Sequence, residues 1–140
     1  MLVEDDPAVR FANAQTLKLA GLEVETCASA EAALEKLHPL FPGILLVDVR
    51  LPGMDGLETL ARIQEIPFAD RPEVVIISGH GTIEIAVGAI QQGAYDFVEK
   101  PFQTDRLLVI VQRALEATRV ADRGCRGRQC HAVASASWRR

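Results

Sequence analysis

The run Gly43-Ile44-Leu45-Leu46-Val47, ending in Asp48, constrains this chain more than any other segment. Four successive aliphatic residues with no polar alternation must be covered on both sides. That is the pattern of an interior parallel strand rather than of a half-exposed antiparallel one. A carboxylate at the carboxyl end of such a strand lies at the mouth of an open α/β sheet, where folds of this kind build their sites. A second apolar stretch, Leu2-Val3, also runs into acid, Glu4-Asp5-Asp6. Two strand ends loaded with carboxylates imply a cation, phosphoryl chemistry, or both.

The rest of the chain alternates strand-like and helix-like segments. Leu2–Glu4 reads as a short first strand. Asp6 followed by Pro7 marks a capped helix start, and Gly21 ends a helix running to about Ala20. Leu22–Cys27 alternates apolar and polar residues, as an edge strand does. Ser29 caps a helix over Ala30–Leu37, and Pro39 and Pro42 delimit a loop. Ile44–Val47 is the third strand, and Leu57–Ile66 is a helix started after Gly56 and stopped by Pro67. Pro72–Ile77 is the fourth strand. Gly79-His80-Gly81 connects it to a helix capped by Thr82 and ended at Gly93. Ala94–Val98 is the fifth strand, and a last helix starts at Thr104 or Asp105 and runs to about Arg119. Each strand is followed by a helix through a short connection. The expected fold is therefore α/β, a (βα)5 flavodoxin-like open parallel sheet in strand order 2-1-3-4-5 with helices on both faces.

At 140 residues the chain fits one domain, and its 49% hydrophobic content is enough for a core. Residues 1–118 hold 9 basic and 18 acidic side chains, a net of −9, whereas residues 119–140 hold six Arg and one Asp, a net of +5. The acidic body excludes direct nucleic-acid binding as its main task. No apolar stretch is long enough for a membrane span, and no signal peptide is evident, so a cytoplasmic location is expected. The odd cysteine count, three, argues against a disulfide scaffold. Cys125, Cys130 and His131 lack a fourth ligand and the spacing of a zinc site. Residues 1–118 form the domain. Residues 119–140, without helical or strand periodicity, read as a disordered basic tail, either a linker remnant or a foreign or frame-shifted sequence.

In the expected strand order the carboxyl ends of the first, third, fourth and fifth strands converge. They bring Glu4 and Asp5, Asp48, Ser78 and Lys100 together. Three carboxylates crowded at one edge repel and call for a hard counter-charge, with Mg2+ the natural choice and Lys100 a second positive group. Common enzyme signatures are missing. There is no Gly-rich phosphate loop after the first strand and no Gly-x-Ser-x-Gly elbow. His80 has no evident carboxylate to orient it as a general base and reads as a surface loop residue. What is left is an aspartate able to attack phosphorus and form an acyl phosphate.

The stretches Leu2–Asp6, Leu46–Gly56, Ile77–Gly81 and Gly93–Phe102 together resemble a bacterial response-regulator receiver domain, a CheY-like fold, over residues 2 to about 118. The resemblance is strongest to the nitrogen-regulator and C4-dicarboxylate-transport-regulator class of sigma-54-dependent activators. It implies that Asp48 is the phosphorylated aspartate. It implies that Glu4, Asp5, Asp48 and the Arg50 carbonyl hold Mg2+, with Asp5 a direct ligand and Glu4 acting through a water. Ser78 becomes the switch hydroxyl, Phe97 the aromatic switch residue and Lys100 the family's lysine, aimed by a cis bond to Pro101. It further implies a phosphoacceptor switch rather than an enzyme on a diffusing substrate, and a sensor histidine kinase as partner. A homodimer is expected through the face of the fourth helix, fifth strand and fifth helix or through a linker helix, with AAA+ and DNA-binding domains in the full-length protein. The first strand is expected to be shorter than is usual for the family. A haloacid-dehalogenase-like phosphatase would need a second aspartate where Arg50 stands. A degenerate, purely protein-binding receiver would lack Asp48, Lys100 or the acidic pair.

Overall fold

The computed structural model of the chain describes residues 1–37, 41, 43–66, 71–79, 81–100 and 102–126. Ten elements alternate: β1 Leu2–Val3, α1 Pro7–Leu19, β2 Thr26–Cys27, α2 Ala30–Lys36, β3 Ile44–Asp48, α3 Gly56–Gln64, β4 Glu73–Ser78, α4 Ile83–Gln91, β5 Asp96–Glu99 and α5 Thr104–Arg126. The five strands form one parallel sheet in the order β2-β1-β3-β4-β5, as the alternation predicts.

Strand periodicity divides the core. Along β3, Leu45 and Val47 face one side and Ile44 and Leu46 the other. Along β4, Val74 and Ile76 oppose Val75 and Ile77 in the same way. The first set joins Ala30, Ala33, Leu60, Ile63 and Ala89, so α2, α3 and α4 cover that side. The second set joins Ala14, Leu17, Leu107, Ile110, Val111 and Ala114, so α1 and α5 cover the opposite side. This two-sided cover is why β3 is buried along its whole length.

Local chemistry sets the helix boundaries. Asp6 accepts hydrogen bonds from the Ala8 and Val9 amides at 2.9 and 3.3 Å, and Pro7 occupies the first turn where no amide is needed. Ser29 and Thr82 cap α2 and α4 through the Ala32 and Ile85 amides. Helix α3 starts one residue earlier than expected, at Gly56, because Asp55 accepts the Glu58 amide at 2.8 Å. Gly21 and Gly93, at φ 88° and 100°, turn the chain out of α1 and α4 in the left-handed region.

Three expectations are corrected. The second strand is only Thr26–Cys27, not Leu22–Cys27. Its register pairs Thr26 with Leu2, so Leu22–Val24 lie beyond the start of β1 and have no ladder to join; Leu22 and Val24 instead pack on the α1/α5 side. The fifth strand begins at Asp96 rather than Ala94, because the Ala94 amide still closes α4 on the Ala89 carbonyl. The last helix does not stop near Arg119 but continues to Arg126, so the basic segment begins as helix rather than as disordered chain. The Pro39–Pro42 loop prolines, Pro67, His80, Pro101 and residues 127–140 lie outside the described residues. Among the described residues no helix is long and apolar enough to cross a membrane.

Candidate functional site

The sheet order reverses at β1 and β3: the chain passes from β1 outward to β2, then returns to β3 on the other side. Crevices in open α/β sheets lie beyond the carboxyl ends of the strands at this switch point. Glu4 follows β1 and Asp48 ends β3. Both are charged yet only 4% and 7% exposed. Ser78 ends β4 and is also buried. Lys100 follows β5, and its amide donates to the Ser78 carbonyl at 2.7 Å, which continues the β4–β5 ladder up to the lysine.

The Lys100 side chain then crosses the carboxyl edge of the sheet. Its Nζ donates to Glu4 Oε2 at 3.0 Å and to Asp48 Oδ2 at 2.5 Å, joining residues 96 and 52 positions away in sequence. Asp48 Oδ1 accepts the Arg50 amide at 3.0 Å. Glu4 Oε1 accepts the Asp6 amide at 3.2 Å. Two of the charges in this triad are negative and all three are partly or wholly withdrawn from water. Burial, followed by the hydrogen bond with Asp48, holds the Glu4 carboxyl above its ordinary range, and Lys100 only partly opposes this. Burial by itself would lower the Lys100 pKa. The hydrogen bonds to Asp48 and Glu4 outweigh it, so the ammonium is held more firmly than a free lysine.

Asp5 stands apart from this triad. It is exposed and lines a shallow open cleft with Val49, Arg50, Leu51, Pro52 and Asp55. Among the described residues no group of three or more acidic, histidine or cysteine side chains is arranged to hold a metal ion. The donor chemistry nevertheless suits Mg2+. Every candidate donor is a hard oxygen, Asp5 and Arg50 share one cleft, and Glu4 and Asp48 form a close anionic pair that a divalent cation would neutralise.

Phe97, half-buried, points its ring tip to the β4–α4 connection. A Cβ placed on Gly81 would lie 2.6 Å from Phe97 Cζ and 3.6 Å from Ser78 Cβ. The absence of a side chain at Gly81 is therefore what leaves room for the ring tip. His80 and Pro101, both considered above, lie outside the described residues.

Two positions were not anticipated. Arg10 Nη1 donates to the Glu4 carbonyl at 2.9 Å and so holds the turn between β1 and α1. Gly56 packs onto the end of β3 itself: a Cβ there would meet the Asp48 carbonyl oxygen at 2.5 Å, and its amide donates to the Val49 carbonyl at 2.9 Å. Local sequence offers a signal only for the Asp55 cap next to it, an acid three residues before Glu58.

Residues 1–112 match the family described as the response regulator receiver domain. The C4-dicarboxylate transport transcriptional regulatory protein DctD of Pseudomonas aeruginosa is 47% identical over 120 residues, which are 86% of this chain and 26% of that protein. The crystal structure of the receiver domain of NtrX from Brucella abortus is 42% identical, with a TM-score of 0.73 over 82% of this chain and 96% of that one. The solution structure of the beryllofluoride-activated NtrC4 receiver domain dimer is 32% identical, with a TM-score of 0.75 over 84% of this chain and 95% of that one. The chain thus spans whole receiver domains but only about a quarter of the curated regulator it matches.

Proposed function

The chain belongs to the receiver domain family of two-component response regulators, and from that premise we propose that Asp48 is its phosphoryl acceptor. The observation that carries the reading is the bridge from Lys100 Nζ to both Asp48 and Glu4. It joins three strand ends into one charged, largely buried cluster that no packing requirement explains.

In this reading a sensor histidine kinase presents a phosphohistidine. An oxygen of Asp48 attacks phosphorus in line, the P–N bond breaks, and the electron pair leaves with the imidazole. The attacking carboxylate is held from two sides: the Arg50 amide fixes Oδ1 and Lys100 holds Oδ2. Asp5, Asp48 and the Arg50 carbonyl, with Glu4 beside them, would hold Mg2+, which supplies neutralisation of the crowded anions.

The acyl phosphate adds about two negative charges and three acceptor oxygens. Lys100, already poised on Asp48, shifts its ammonium to a phosphoryl oxygen, and the Ser78 hydroxyl turns toward another. Phe97, whose ring tip already lies against Gly81, turns inward into the space the hydroxyl vacates. The result is a shift in the population of two states of the α4–β5–α5 face rather than turnover of a diffusing substrate. That face carries exposed Ile83, Val87, Ile90, Tyr95 and Val109 and is the surface for homodimerisation, with the continuation of α5 as a second contact. In the cytoplasm the domain then governs a transcriptional output, of the sigma-54-dependent kind suggested by the sequence motifs, through AAA+ and DNA-binding domains of the full-length protein.

Acetyl phosphate with Mg2+ tests the reading directly. Intact-mass measurement is expected to show one phosphoryl group on the wild type and none on Asp48→Asn. Equal uptake by the two proteins overturns the assignment.

A further inference from the structure

The loop between Asp48 and α3 is anchored at two places. At its ends, the Gly56 amide is bonded to the Val49 carbonyl, closing the loop on itself next to the acceptor. At its crown the anchor comes from another element. Glu31, in the first turn of α2, extends its carboxylate across the loop, and Oε1 accepts the Met54 amide at 3.0 Å over a separation of 23 residues. The same oxygen lies 2.9 Å from where a Cβ on Gly53 would be, so the carboxylate is seated directly over the Gly53 α-carbon. Gly53 has φ 76°, a left-handed turn open to glycine, and both its conformation and its missing side chain are needed for this contact. The Glu31 carboxyl is held below the usual carboxylate range by backbone hydrogen bonds, from its own amide and from that of Met54, so it stays ionised and acceptor-competent.

Between these anchors lies Arg50. Its amide holds Asp48 Oδ1, and the residue lines a cleft it shares with Asp5. We infer that Glu31 is a positioning residue of the phosphoryl site: it fixes the Gly53–Met54 crown and thereby the segment that presents the Arg50 backbone to Asp48 and to the cation. The inference rests on Asp48 being the acceptor. It adds to the site a side chain on the far side of the loop that touches neither phosphoryl group nor metal. Outlying hydrogen bonds that orient ligand-bearing groups typically change affinity or rate by about tenfold or more.

The test uses the full chain and the variants Glu31→Ala and Glu31→Gln, with Asp48→Asn as a control for the acceptor itself. Three quantities are measured: thermal midpoint, the shift of the Arg50 amide resonance on titration with Mg2+ alone, and the rate of phosphoryl uptake from acetyl phosphate. Glu31→Ala is expected to keep the wild-type thermal midpoint, to need about tenfold more Mg2+ to move the Arg50 resonance, and to slow uptake about tenfold. Glu31→Gln, whose amide oxygen can accept the Met54 N–H, is expected to restore both. Wild-type Mg2+ response and uptake in Glu31→Ala overturn the inference. So does a loss of both that merely follows a lowered thermal midpoint and is not restored by Gln. If wild type and Asp48→Asn take up phosphoryl equally, the acceptor assignment fails instead. The Mg2+ titration of Arg50 still reads the Glu31 contact on its own.

Discussion

The two βα units at the centre of the site share a plan and differ in every physical detail. In each, a buried strand ends in a polar site residue, Asp48 or Ser78. A loop follows, then a capping residue, then a nine-residue helix. The β3–α3 loop is pinned by Gly56 at its ends and by Glu31 at its crown, and α3 buries Gly56, Thr59, Leu60 and Ile63. The β4–α4 loop passes through two glycines, and α4, though far richer in aliphatic residues, buries only Ala89. Apolar content does not measure attachment. The less hydrophobic helix is the fixed platform behind Asp48. The more hydrophobic one is loosely seated and offers its aliphatic face outward, as a part that moves or docks must.

The largest expected effect sets the cores of the two units against each other. Leu60→Ala is expected to cost about 2–5 kcal/mol in urea unfolding, while Ile83→Ala, at an exposed site on α4, stays within about 0.5 kcal/mol. Equal costs would abolish the distinction. The loop glycines sharpen it next. Gly56→Ala drives a Cβ into the backbone of Asp48 and Val49 and is expected to cost about 1–3 kcal/mol. Gly81→Ala meets only the tip of the Phe97 ring. It is expected to displace the ring, read by a change in Phe97 aromatic proton shifts, and to cost less than Gly56→Ala. A third comparison concerns the caps. Removing Asp55 or Thr82 as Ala takes away one capping bond, worth about 1 kcal/mol. The loss at Asp55 is expected in global unfolding. At Thr82 it is expected chiefly as faster hydrogen exchange of α4 amides.

The smallest effect is electrostatic. Glu4 is held above its ordinary 4.5 by burial and then by Asp48, so its ionisation disfavours the fold as pH rises from 4.5 through the raised value. Glu4→Gln is therefore expected to match or exceed wild-type stability at pH 7. That gain should vanish below pH 4.5, in a series of urea titrations across pH. A loss at neutral pH would mean that the Lys100 contact outweighs the burial of Glu4.

The aliphatic run through Val47 already specified a strand covered on both sides, and the alternation of strands with helices specified the sheet order. Those features depend on periodicity, which is written locally. The length of β2 was not legible, because its ladder is limited by where β1 begins, not by the alternation of Leu22–Cys27. The end of α5 was not legible either, since arginine-rich composition suggested disorder where backbone continuity carries the helix to Arg126. At the site, the convergence of Glu4, Asp48, Ser78 and Lys100 followed from strand order alone. Arg10, Glu31 and the demand for glycine at 56 and 81 depend on contacts between elements, for which no local pattern exists. Asp5 was expected to crowd with Glu4 and Asp48 at the sheet edge, and it lines the open cleft beside Arg50.

The Lys100 bridge also has a consequence for synthesis. A chain leaving the ribosome presents Asp48 long before residue 100 is made, and during that interval the carboxylate has neither its lysine nor the last strand. The three-way bridge therefore forms late and all at once, when β5 closes the sheet. An unfinished or prematurely terminated polypeptide, however well its first half has collapsed, lacks the bridge on which the proposed phosphoryl site depends.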